Sequence, residues 1–189
     1  MRSALIVLSL LLLAAVPGGA QDDERRGREE FTAVALSPGG VRSSPVAAQL
    51  EIVIDRWSTT AERERLVATL GQGQRTTLEE LRDLPRVGYV RTPGSLGWSI
   101  HYAHATRGED GGRRIFVATD RPISIAEEIN RPRTIEYPFT FLELHVNDEG
   151  VGQGTLSLAT RLTASRDGRF VYLEHWDTPP IKLTQVKRR

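Results

Sequence analysis

Residues 47–57 read AAQLEIVIDRW, and within them Leu50, Ile52 and Ile54 alternate with Glu51 and Asp55. A period of two sends successive side chains to opposite faces, so this segment predicts a strand with one face in a core and the other mostly in water. FTAVALS, residues 31–37, has the same β-type character and stops at SPGGVRSSP, where Pro38, Gly39, Gly40 and Pro45 mark a connection. The period then becomes helical. In STTAERERLVATLGQG, Thr59 and Glu62 stand at capping-box spacing, Leu66 and Leu70 share a face, and Gly71 falls where a helix would end. QRTTLEELRDLP repeats the scheme, with Thr77 and Glu80 at the capping positions, Leu78, Leu81 and Leu84 three residues apart, and Pro85 as terminator.

From Arg86 onward the pattern is one of strands separated by turns. RVGYVRT meets GWSIHYAHATR across PGS, RGEDGG precedes RRIFVATD, and HVNDEGVGQG and TASRDGRFVY each hold a Gly-ended hairpin turn. The exception is DRPISIAEEINRPRTIEYP, residues 120–138, which is too long for a hairpin and predicts a crossover over one end of a sheet, with a short helix capped by Ser124 and Glu127. A three-residue loop ending at Gly150 would pair Asn147 with Val151, Leu144 with Gly154 and Leu142 with Leu156. At 165–169 two registers stay open: a two-residue Asp167-Gly168 turn sets Leu162 opposite Leu173, and a three-residue loop sets it opposite Tyr172.

About nine strands with two short helices inserted early predict a mainly β fold. The meander favours an antiparallel barrel or strongly curved sheet with the helices over one end, because closure removes aggregation-prone edges; a two-sheet β-sandwich is the alternative.

The first twenty residues alter where such a domain is expected to work. Arg2, an apolar run from Ala4 to Val16, and then Pro17, Gly18, Gly19 and Ala20 form the three-part pattern of a secretory signal peptide. The apolar run is shorter than the roughly 20 residues of a membrane-spanning helix. Cleavage after Ala20 leaves no transmembrane anchor and predicts a periplasmic or extracellular protein, of bacterial type. Residue 21 is Gln rather than Cys, which excludes a bacterial lipoprotein anchor. QDDERRGREE, residues 21–30, holds no apolar residue and predicts a flexible charged leader, leaving residues 31–189 as a single β-rich domain.

Composition then narrows the chemistry. Without Arg2 the chain has 24 basic and 24 acidic residues, so there is no electrostatic case for a nucleic-acid partner. Cysteine is absent, which removes thiol catalysis, thiolate metal sites and disulfides. There is no Gly-x-Ser-x-Gly elbow. The glycines of GVGQG, residues 150–154, lack the lysine and following helix of a phosphate loop and read as bulge or close-packing glycines.

Of the four histidines, His101 and His104 are three apart in what reads as a strand, so alternation sends them to opposite faces. His145 with Glu143, and His175 with Asp177, each form a histidine–carboxylate pair on one strand face, the chemistry of an acid–base or metal half-site. The registers above hold the two pairs roughly 20 Å apart along the sheet, so they do not share a metal. Glu136, Glu143 and Glu174 are carboxylates with nothing to single them out as a glycosidase pair.

The aromatics point further. Trp98 and Tyr102 fall on one strand face with Ile100 and His104, and Tyr172 and Trp176 on another with Phe170 and Glu174. An aromatic-lined cavity with a few polar groups is how small apolar ligands are held. The sequence therefore predicts an exported, non-enzymatic β-barrel module that binds a small hydrophobic or amphipathic molecule in its interior. The candidate ligand-binding residues are Trp98, Tyr102, His104, Tyr172 and Trp176, and no catalytic residue, metal ligand or cofactor is assigned. The alternative is a structural or protein-interaction module of the cell envelope; the third reading is a metal-dependent or hydrolytic enzyme built on one histidine–carboxylate pair.

Overall fold

The computed structural model describes residues 11–12, 27–37, 46–108, 111–121, 123, 138–164, 170–175 and 180–189. From Glu29 onward, the described residues form nine strands and two α-helices in the order β1 (Glu29–Ser37), β2 (Val46–Ile54), α1 (Thr60–Thr69), α2 (Gln74–Asp83), β3 (Gly88–Arg91), β4 (Trp98–Arg107), β5 (Arg113–Thr119), β6 (Phe139–Val146), β7 (Val151–Ala164), β8 (Phe170–His175) and β9 (Ile181–Arg188). Glu29 and Glu30, expected in the leader, are the first residues of β1. They pair with Ile54 and Val53, and Arg113 holds Glu29 through two hydrogen bonds of 2.8 and 2.6 Å.

Strands β1 to β7 pair antiparallel in chain order, and β9 closes the ring by pairing with both β1 and the first half of β7. The result is a closed eight-stranded antiparallel barrel, not a sandwich. β7 is 14 residues long and outruns the ring. Its pairing with β6 ends at Phe139 opposite Thr160, and Thr160–Ala164 pairs instead with β8. The register of that hairpin is the one with Leu162 opposite Leu173. At the preceding hairpin Leu144 faces Gly154, Leu142 faces Leu156, and Asn147 accepts the Val151 amide on its side chain, as the three-residue loop requires. A two-residue strand, Leu11–Leu12, lies antiparallel on the outer edge of β8, with Leu11 opposite Val171.

Eight strands enclose a space just wide enough for side chains to fill. Phe31, Leu50, Ile52, Ile54, Val90, Ile100, Ile115, Val117, Leu142, Leu144, Leu156 and Leu183 fill it, all essentially without solvent exposure. Trp57, on the link between β2 and α1, and Ile123, beyond β5, are buried with the same cluster. Among the described residues the barrel interior is thus a packed core rather than the open, aromatic-lined cavity expected.

The helices also depart from expectation. α1 starts where the sequence puts it: Thr59 accepts from the Glu62 amide at 3.2 Å and the Glu62 carboxylate accepts from the Thr59 amide at 2.8 Å. α2 starts four residues earlier than the Thr77–Glu80 spacing suggested, behind Gly73 at φ 109°, and Thr77 instead donates its hydroxyl back to the Gly73 carbonyl. Neither helix covers a barrel end. Leu66, Leu78, Leu81 and Leu84 pack with Tyr102, Ala118, Phe139, Phe141 and Leu162 in a second apolar cluster against the outer wall. Residues 124–137, which include the expected short helix, lie outside the described residues. Among the described residues no helix is long and apolar enough to cross a membrane.

Candidate functional site

A one-residue irregularity in β4 determines which side chains meet at the outer wall. Ile100 faces Thr119, yet Tyr102 faces Ala118 and Ala103 faces Val117, so the register slips between Ile100 and Tyr102. A bulge adds a residue to one strand and shifts the alternation beyond it. Ile100, Ala103 and Ala105 therefore face the interior cluster, while Tyr102 packs in the outer one. Ser58 secures the shifted segment: its amide donates to the Ala103 carbonyl at 2.9 Å and its hydroxyl accepts from the Ala103 amide at 3.0 Å.

This overturns the expected division of GWSIHYAHATR. His101 and His104 both lie on the outer side. His101 Nδ1 is 2.9 Å from the Leu84 carbonyl at the end of α2, and its Nε2 is 3.9 Å from Asp120 Oδ1. His104 sits beside Tyr102, ring centroids 6.3 Å apart. Trp98, inward of the slip, packs against the barrel core rather than with Tyr102 and His104. The face of four residues expected from alternation is divided at the bulge.

The outer cluster leaves a cleft of about 100 Å³ between the helix pair and the wall. Arg63, Leu66, Val67 and Leu70 line it at i, i+3, i+4 and i+7, one stripe of α1 continued by the 3-10 turn Leu70–Gln72. Thr77 and Leu81 of α2 face them, and Tyr102, Ala118, Phe139 and Phe141 of β4, β5 and β6 form the floor. Leu162 of β7 and Val171 of β8 complete it, so the strands that leave the ring make its far wall. Among the described residues Arg63 is the single charged member of the lining.

Of the five candidate residues, Tyr102 lines this cleft. Tyr172 is partly exposed, and strand alternation turns it to the side opposite its neighbour Val171. Trp176 lies outside the described residues. Sequence reading missed Phe139 and Phe141, which flank a connection too long to fix their register, and Arg63, whose place in the apolar stripe of α1 was a visible signal.

Trp98 lines a different hollow, of about 250 Å³, with Arg86, Tyr89, Arg91 and Leu96. Its guanidiniums are engaged: those of Arg86 and Arg91 lie 5.4 and 5.3 Å from the Tyr89 ring centre, Arg91 binds Glu51 at 2.5 Å, and Arg86 is 3.9 Å from Asp55. The Arg91 hydrogen bond holds the Glu51 carboxyl below the ordinary carboxylate range and raises the guanidinium in turn. At the start of α1, Arg56 grips Glu62 with contacts of 3.0 and 2.7 Å, which lowers the carboxyl and raises Arg56 in the same way.

The His145–Glu143 pair forms, at 2.7 Å, but Arg114 binds the same Glu143 oxygen and His145 is half-exposed, as in a surface ion-pair group. Asp177 lies outside the described residues. His145 faces Gln153 and His175 faces Thr160, seven residues apart on β7, so the registers keep the two strand positions separate. Among the described residues, no three histidine or carboxylate side chains cluster in a way that could hold a metal ion. No family model, curated protein or solved structure matches the chain.

Proposed function

We propose that this chain is an exported β-barrel protein that binds a small apolar or amphipathic molecule in the cleft between α1, α2 and the outer wall of the barrel. One observation carries the reading: the cleft is walled by aliphatic and aromatic side chains from both helices and from strands β4 to β8, while the barrel interior is filled. A concave apolar surface with few polar groups is the usual form of a small-molecule site. An apolar cavity of about 150 Å³ is enough to hold a benzene ring, so this half-open cleft of about 100 Å³ suits a short alkyl chain or the edge of an aromatic ring, with the rest of the molecule lying over its mouth. Export rests on the N-terminal pattern, and the secreted chain is expected to begin at Gln21 on N-terminal sequencing.

The test is titration with the neutral fluorophore N-phenyl-1-naphthylamine. Saturable binding at one site is expected, reduced at least tenfold in Val67→Trp, which fills the cleft from a half-buried helix position. Unchanged binding in a folded Val67→Trp protein would place the site elsewhere and end this reading.

The interaction-module reading draws on β8. Among the described strands it lies outside the closed ring, and its outer edge already carries the extended residues Leu11–Leu12. A strand edge of this kind accepts a further strand, and a lysine there blocks it. Under this second reading Tyr172→Lys abolishes partner binding and leaves fluorophore binding intact.

A further inference from the structure

We infer that the ligand of the cleft is a monoanion with a short apolar tail, such as a short- or medium-chain carboxylate, and that Arg63 binds its head group. The inference rests on the cleft being the binding site and specifies the chemical class that fits it.

Three features converge on Arg63. It occupies the first position of the stripe that continues through Leu66, Val67 and Leu70, so a residue expected to be apolar by period is a guanidinium on the cleft wall. Among the described residues no carboxylate lines the cleft and Arg63 forms no ion pair. The nearby charges are already matched: Glu62 is held by Arg56, and Arg65 reaches Glu80 at 2.6 Å. Arg63 also lies near the N-terminal end of α1, where the helix field disfavours a cation and favours an anion. A carboxylate beside Arg63 would receive charge-assisted hydrogen bonds and relieve that unfavourable placement. Its tail would run along Leu66 and Val67 toward Phe139 and Phe141. Thr77 offers no competing polar anchor, since its hydroxyl is committed to the Gly73 carbonyl.

Calorimetric titration of the full chain with octanoate and with 1-octanol tests this, because the two share a tail and differ in the head. Octanoate is expected to bind about tenfold more tightly, the lower range of a charge-assisted hydrogen bond. Arg63→Gln should remove that preference without weakening octanol, and Arg63→Lys should retain part of it. Equal binding of the two ligands by the wild-type chain would overturn the head-group assignment and leave the cleft reading standing. Equal weakening of both ligands by Arg63→Gln would show that the side chain contributes only its aliphatic stem, and would overturn the assignment too. Binding of neither ligand, together with no fluorophore binding, would remove the cleft reading and this inference with it.

Discussion

Gln74, the first residue of α2, and Leu162, in the second half of β7, exchange two hydrogen bonds: the Gln74 side-chain amide donates to the Leu162 carbonyl at 2.5 Å, and the Leu162 amide donates to Gln74 Oε1 at 2.8 Å. A primary amide side chain carries the same donor and acceptor as a peptide unit, so Gln74 takes the place of a strand where β6 no longer covers β7. It fastens the helix pair to the far wall of the cleft. Gln74→Ala leaves both backbone groups of Leu162 without these partners, and the expected cost is about 1–3 kcal/mol in urea unfolding. Amide exchange at Leu162 should accelerate in the same variant, and exchange at Val117, inside the ring, should follow only the global change. Equal protection at Leu162 in wild type and variant would refute the role given to Gln74.

Ser58 performs a related task at the bulge. Its hydroxyl and amide satisfy both backbone groups of Ala103 beyond the register slip, in a setting with almost no solvent exposure. Ser58→Ala keeps the amide contact and removes the hydroxyl acceptor, which leaves the Ala103 N–H buried and unpaired on that side. A loss of about 1–3 kcal/mol is expected. Ser58→Gly should cost at least as much, because the acceptor is equally missing and the backbone is freer when unfolded. A Ser58→Ala protein as stable as wild type would show that the bulge does not depend on this bond.

How much of this was legible in the sequence follows from the range of each interaction. The half-buried strand at Leu50, Ile52 and Ile54, the capping box at Thr59 and Glu62, and the Leu142–Leu156 register are set by residues close in the chain, and each is found in the structure. The GVGQG glycines serve close packing as read: a Cβ on Gly154 would lie 2.3 Å from the Glu143 carbonyl oxygen. The bulge in β4 has no local signature, since Ser58, which pairs with its shifted amide, stands 45 residues earlier. Alternation therefore assigned Trp98, Tyr102 and His104 to one face, and a slip of one residue moved the latter two to the outer wall. α2 likewise begins at Gln74 rather than at the Thr77 signal, because Leu162, 88 residues away, supplies a partner there. The cleft is built from five strands and two helices, so only Tyr102, with its aromatic neighbours in sequence, drew attention to it.

The Arg56–Glu62 pair gives stability a pH dependence of definite sign. Hydrogen bonds from Arg56 and from the Thr59 amide hold the Glu62 carboxyl below its ordinary value in the folded chain. A carboxyl depressed on folding stabilises the folded state above its unfolded value, near 4.5, and that contribution disappears as pH falls through the folded value. Glu62→Gln keeps a side chain that can still accept from the Thr59 amide but carries no charge. At pH 6 the variant is expected to be less stable by about 1 kcal/mol, in the range of a helix cap with a partly exposed ion pair. As pH drops from 5 to 3, the two stability curves should converge. A constant gap over that interval would show that the loss arises from shape and not from charge.

Closure of the barrel at β6–β7 depends on the absence of a side chain at Gly152. The residue pairs with Val146 on one side and Val186 on the other, so its backbone is clasped between two strands of the ring. A Cβ built there would fall 1.8 Å from the His145 carbonyl oxygen and 3.0 Å from the Val146 Cα, both backbone atoms that cannot rotate away. Gly152→Ala must therefore separate β6 from β7 locally, and in an interior packed like a crystal such a shift is felt by Val146 and Val186. The expected cost is about 3 kcal/mol. Gly71, at the junction of the helices, provides the control: nothing lies within 4 Å of a Cβ there, and its φ is not in the left-handed region. Gly71→Ala should change stability by no more than about 0.5 kcal/mol. Thermal unfolding of the two variants side by side checks the argument, and a Gly152→Ala midpoint close to that of Gly71→Ala would refute the tight approach of β6 and β7.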